Sequence, residues 1–169
     1  MQIGTDRALP FNIWQKTTIS MTKASKRQSG SKKIGEFSSP NVPFFLDETN
    51  DTKFVVEALR ARGIKIKRAS EYFPSGTLDK DWLPQVAKNG WLILTRDANW
   101  RYDKFEKSTF IRIKARAFVI QEGKVNLNDE EIASLVFKAL PAIKDFTRNN
   151  SAPFLAKILK SGKVVGITL

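Results

Sequence analysis

The chain contains no histidine and no cysteine, so whatever chemistry it performs must be built from carboxylates, hydroxyls, lysines and arginines. Three aspartates stand out by position. Asp47 closes the run "FFLD", Asp79 lies in "GTLDKDWL", and Asp97 closes "GWLILTRD". Four consecutive apolar residues opened by a glycine read as a strand buried on both faces, and an acid at the exit of such a strand sits where open α/β sheets collect their ligands. A Ser-His-Asp triad, an imidazole base, a cysteine nucleophile and a thiolate zinc site are all excluded. Carboxylates with water are the hard donor set that suits magnesium or manganese.

Magnitudes say what a cluster of such acids needs. Two carboxylates ~4 Å apart repel by ~1 kcal/mol in water and ~4 kcal/mol at an effective dielectric near ~20. Three together call for protonation, neighbouring cations or a bound dication. A hard dication also lowers the pKa of a bound water and polarises a phosphate, which is a route to phosphodiester hydrolysis without histidine. Each acid has a bland alternative role as well: Asp79 as a helix N-cap, Asp97 as a turn residue, Glu48 as a cap or ion-pair partner pointing away from Asp47. Asp47 is the hardest to dismiss, because two phenylalanines and a leucine precede it in what should be a central strand.

The elements that would position these acids follow from periodicity. "VPFFLDE" is a strand; Thr52–Arg62 has helical spacing and ends at Gly63; "IKIKRA" alternates as an edge strand softened by Lys65 and Lys67; "SEYFPSGTL" is a loop. Asp79 is placed to cap the helix "KDWLPQVAKN", which Gly90 closes before the strand "WLILT". A helix over 101–114, a strand "RAFVI", a helix from Asn128 to about Phe146 that Pro141 kinks or interrupts, and a hairpin in "FLAKILKSGKVVGITL" complete the order. Strand–helix–strand–helix–strand predicts an α/β fold with a parallel sheet of core order 2-1-3-4, helices on both faces, and a C-terminal helix plus hairpin. In that order the first and third strands are neighbours, so Asp47 and Asp97 share one crevice and Asp79 enters it from the helix before the third strand.

Charge points to a partner. Lys and Arg number 29 against 17 Asp and Glu, a net +12, which favours a polyanion, RNA first, over a merely solubilising surface. Residues 1–40 hold seven of the cations and two of the acids, and "MTKASKRQSGSKKIGEFSSP" has the Ser, Lys and Gly content of a flexible basic arm; residues 41–169 read as one domain. Met21 is an alternative start. No apolar run suits a membrane span and residues 1–30 lack a signal-peptide core, so a cytoplasmic protein without a membrane partner is expected. Arg96, Arg101 and Lys80 are the candidate nucleic-acid contacts. Trp82, Trp91 and Trp100 are candidates for base stacking, with packing favoured for the first two.

The pieces "FFLDE" (44–48), "GTLDKDWL" (76–83), "GWLILTRD" (90–97) and "RAFVI" (116–120), in this order, resemble the PIN-like nuclease superfamily, especially its compact branch of VapC-type toxins. The resemblance implies a magnesium- or manganese-dependent ribonuclease in which Asp47, Asp79 and Asp97 hold the metal and do the chemistry, with Thr95 as the hydroxyl beside the last acid. It also implies a toxin whose partners would be RNA, an antitoxin protein and a second copy in a homodimer. Thr49 departs from the pattern, since relatives often show Asn there, and the fourth acid is not fixed: Asp103 and Glu106 are its candidates, with Glu48 a further secondary one. The alternative is a degenerate PIN-like domain that binds RNA or a protein without cutting.

Overall fold

The computed structural model describes residues 42–97, 104–123 and 126–169, without the side chains of 104–106. The basic arm of residues 1–40 lies outside the described residues, as do Trp100, Arg101 and Asp103. In chain order the elements are β1 (Phe44–Leu46), α1 (Lys53–Arg60), β2 (Ile66–Arg68), α2 (Ala69–Tyr72), α3 (Asp79–Lys88), β3 (Leu92–Thr95), α4 (Lys104–Arg112), β4 (Arg116–Ile120), α5 (Asp129–Asn149), β5 (Phe154–Ile158) and β6 (Val164–Ile167). They form one six-stranded sheet in the order β2-β1-β3-β4-β5-β6. The expected core order 2-1-3-4 is observed, all parallel. β5 continues it parallel to β4, and β6 returns antiparallel as a hairpin.

Alternation along the strands sorts the side chains. Phe44, Leu46, Leu92, Leu94, Phe118 and Ile120 face α1 and α5; Phe45, Ile93, Ala117 and Val119 face α3 and α4. Burial on both faces explains why β1 and β3 lack any polar alternation. Each fully buried Phe or Leu contributes ~1.5–3 kcal/mol, so these short central strands are held by packing more than by length. Around Phe45 gather Trp82, stacked at 5.1 Å, and Trp91, stacked at 6.1 Å. Both tryptophans are therefore packing residues, as favoured over base stacking.

Three helices end alike. After α1, Gly63 and Ile64 donate to Arg60 and Leu59; after α3, Gly90 and Trp91 donate to Ala87 and Val86; after α4, Lys114 and Ala115 donate to Ile111 and Phe110. This paired closure requires a left-handed residue at its first position. Gly63 and Gly90 adopt it freely, whereas Lys114 adopts it at φ 56° as a strained non-glycine. Lys114→Gly is expected to stabilise the protein by roughly 0.5–1 kcal/mol, relief of strain exceeding the added unfolded-state entropy. A denaturant midpoint at or below the wild-type value would refute this.

Several local expectations are corrected. The "SEYFPSGTL" loop begins with residues of a four-residue helix, α2, whose first turn is tied down by Asp51: its carboxylate accepts from Arg68 Nε at 2.5 Å and from the Ser70 amide at 2.8 Å. The strand in "IKIKRA" is confined to Ile66–Arg68. Pro141 does not interrupt α5, which runs unbroken from its Asn128 cap to Asn149. A proline costs one backbone hydrogen bond, but buried Ile132, Val136, Leu140 and Ile143 extend the apolar stripe across it.

Candidate functional site

The strand register builds the site. Leu46 pairs with Leu94, so Asp47 and Thr95, one step further along adjacent parallel strands, emerge side by side. Both continue the face of Phe45 and Ile93, the face covered by α3. Asp79, at the start of α3, therefore approaches from the same side. Asp47, Asp79 and Asp97 line one cavity of about 340 Å³, together with Glu48, Thr49, Ser70, Phe73, Ser75, Thr77 and Trp82.

Asp47 is 7% exposed and surrounded by donors. Thr95 donates its hydroxyl to Oδ2, Thr49 donates to Oδ1 at 2.6 Å, and the Asn50 amide donates to Oδ1 at 3.4 Å. Burial outweighs these bonds. Desolvation pushes the Asp47 carboxyl up to about 6, with a further contribution from the charge of Asp79, while the Thr49 and Thr95 bonds pull it down. Thr95, fully buried, also accepts the Asp97 backbone amide at 2.9 Å; one hydroxyl thus links the first acid to the backbone of the third.

Asp79 is not the helix cap. Leu78 holds the extended capping conformation and Asp79 is already the first helical residue. Its Oδ1 instead accepts the Trp82 indole N–H at 3.0 Å, a partner one helical turn on that anchors the carboxylate at the cavity. Glu48 does not point away from the site: it lines the cavity and accepts from Ser75 and Gly76. Arg96 turns elsewhere. Its guanidinium pairs with Glu122 and donates to the Leu127 carbonyl at 3.2 Å, tying the exit of β3 to the connection before α5. Lys80 is exposed on the first turn of α3. Arg101, Asp103 and the Glu106 side chain lie outside the described residues.

Asn50 and Thr49 are site residues that sequence reasoning passed over. Asn50 is fully buried, donates to the Leu94 carbonyl at 3.3 Å as well as to Asp47, and closes a turn through its amide on the Asp47 carbonyl at 3.0 Å. Aspartate opening a turn with a polar residue three positions on is the signal that could have found it. Thr49, noted only as a departure from the pattern, supplies one of the hydroxyls on Asp47.

The donor chemistry suits a hard dication: carboxylates and hydroxyls, with the charge of Asp79 adding to the upward push on Asp47 that a divalent charge would offset. Against this, among the described residues no three acids are drawn into a ready cluster for a metal ion.

A family model described as "PIN like domain" matches residues 43–122, from just before β1 through β4 and therefore over every element that carries an acid of the cavity. Over this stretch, a little under half of its length, the chain is similar to PIN-like domains. No curated protein and no solved structure matches the chain. The PIN-like stretch ends before α5, β5 and β6, which extend its sheet by two strands. A nuclease-type function is what this similarity suggests. Among the described residues no helix is long and apolar enough to cross a membrane.

Proposed function

We propose that this protein is a magnesium- or manganese-dependent ribonuclease that hydrolyses RNA phosphodiester bonds in the cavity at the exits of β1 and β3. The observation that carries the reading is the convergence of Asp47, Asp79 and Asp97 on one cavity, with Asp47 buried and its carboxyl pushed up to about 6. These three residues would hold the ion, which when bound activates water and offsets charge at the phosphate. Thr49, Thr95 and Asn50 fix the Asp47 carboxylate, and Trp82 fixes that of Asp79. Lys80 is available to neutralise a neighbouring phosphate, and the net +12 of the chain suits RNA as the partner. The motif resemblance extends the proposal to a VapC-type toxin acting in the cytoplasm, restrained by an antitoxin and working as a homodimer.

The test is cleavage of single-stranded RNA by the purified chain with magnesium, with manganese and with a chelator. Divalent-dependent cutting supports the reading. The absence of a gathered metal cluster among the described residues favours one competing reading, a domain that holds RNA or a protein without cutting; saturable RNA binding with no cleavage under any metal would select it. Asp79→Asn sharpens the test. Its Oδ1 can still accept the Trp82 indole, so melting should stay close to wild type, while a neutral amide is a poorer ligand for a hard dication and magnesium-dependent cleavage should fall strongly. A variant that melts early yet cuts normally would make Asp79 purely structural.

A further inference from the structure

The acid next to Asp47 is engaged by a turn rather than by the reacting centre. Pro74-Ser75-Gly76-Thr77 forms a tight turn: the Thr77 amide donates to the Pro74 carbonyl at 3.1 Å, and its third residue, Gly76, has φ 76°, the geometry that calls for glycine there. The Thr77 hydroxyl donates to the same carbonyl at 2.6 Å. The donors on the other side of this turn converge on one carboxylate. Ser75 donates its hydroxyl to Glu48 Oε1 at 2.5 Å, and the Gly76 amide reaches Oε1 at 3.2 Å and Oε2 at 3.3 Å. Hydrogen bonds to an ionised acceptor are about twice as strong as neutral ones, which is what a short exposed turn needs to hold one shape.

The position of this turn gives the contact a consequence. Phe73, Pro74, Ser75 and Thr77 line the cavity that holds the three aspartates, and Asp79 follows Thr77 by two residues. An ion with its waters would fill a small part of about 340 Å³; the remainder is bounded by this turn and by Phe73 before it, so the turn hydroxyls and the Phe73 ring are the groups a nucleotide beside the scissile phosphate would meet. We infer that Glu48 is a positioning residue that clamps the 74–77 turn as the substrate-contacting wall of the cavity, and that it takes no part in the chemistry. The inference rests on the ribonuclease reading for what the wall contacts, but not for the clamp itself.

The experiment compares Glu48→Ala and Glu48→Gln in the full chain with two readouts: amide hydrogen exchange at Gly76 by NMR, and KM against kcat for a labelled single-stranded RNA. Loss of the acceptor should speed Gly76 exchange by about tenfold or more and raise KM by about tenfold, with kcat changed far less. Glutamine keeps an acceptor oxygen and should restore most of both. Ser75→Ala added to Glu48→Ala should have little further effect, since both remove the same contact. Equal collapse of kcat in both variants with Gly76 exchange unaltered would overturn the inference and place Glu48 at the reacting atoms. Unchanged exchange and unchanged KM would overturn the clamp. If the wild-type chain cuts no RNA, the ribonuclease reading fails, and the exchange result still decides whether Glu48 holds the turn.

Discussion

Asp47→Asn is expected to silence RNA cleavage and, in the metal-free protein, to raise stability at neutral pH. The two effects have one cause. The folded protein holds this carboxyl at about 6, against an ordinary value of 3.8, chiefly by desolvation. Between these values the folded state keeps a proton that the unfolded chain has released, so stability falls as pH rises through the window and levels off above the folded value. That difference corresponds to ~3 kcal/mol. Asparagine has no charge to desolvate, and its oxygen still accepts from Thr49 or Asn50. The stability gap between variant and wild type should therefore be small near pH 4, widen as pH rises through about 6, and be constant beyond. Paired urea titrations across that range measure it; a gap that does not move with pH would refute the burial of a charged Asp47. Magnesium should narrow the gap at neutral pH by stabilising the wild type, by ~2.7 kcal/mol at a hundredfold excess over its Kd. A variant that still cuts RNA would end the assignment of Asp47 to the reaction.

Much of this site is legible in the sequence because strand periodicity reaches it. Asp47 has the parity of Phe45, and Thr95 that of Ile93, so the two emerge on one face once β1 and β3 are known to be parallel neighbours. Order and type of the central elements follow from the same alternation and from glycines that end helices. Periodicity fails one residue later. Beyond Leu46 the chain turns through Glu48–Asn50, and no period then says where Glu48 points; its partners, 27 and 28 residues ahead, are set by tertiary structure. Arg96 was out of reach for the same reason, since it is claimed by Glu122 and by a carbonyl 31 residues on. Asp79 shows local propensity losing to packing. Aspartate is the better N-cap than leucine, yet Leu78 caps α3, because the Asp79 carboxylate is engaged by Trp82, itself stacked on Phe45.

Thr95 should be the residue on which the site most depends without touching substrate. Its side chain is fully buried, donates to Asp47 and accepts the Asp97 amide. Valine has nearly the same shape and a strand preference at least as good, so Thr95→Val removes the hydroxyl and little else. It leaves a buried carboxylate oxygen and a partly buried amide each short of a partner, at ~1–3 kcal/mol apiece. A loss of roughly 2–6 kcal/mol, or roughly 4–24 °C in Tm for a chain of this size, is the expected result. The Thr95 bond also pulls the Asp47 carboxyl down, so its removal should carry that carboxyl further up. The folded state would then keep its proton to higher pH, and the decline of stability with pH should extend above the wild-type window. Cleavage at neutral pH should fall as well, since less of Asp47 is ionised and the Asp97 backbone is no longer tied to it. Thr95→Ser separates the hydroxyl from the methyl group. Recovery of Tm, pH window and cleavage in serine would assign all three to the hydroxyl. Equal losses in serine and valine would assign them to packing of the methyl, and a valine variant that melts and cuts like wild type would remove Thr95 from the account of the site.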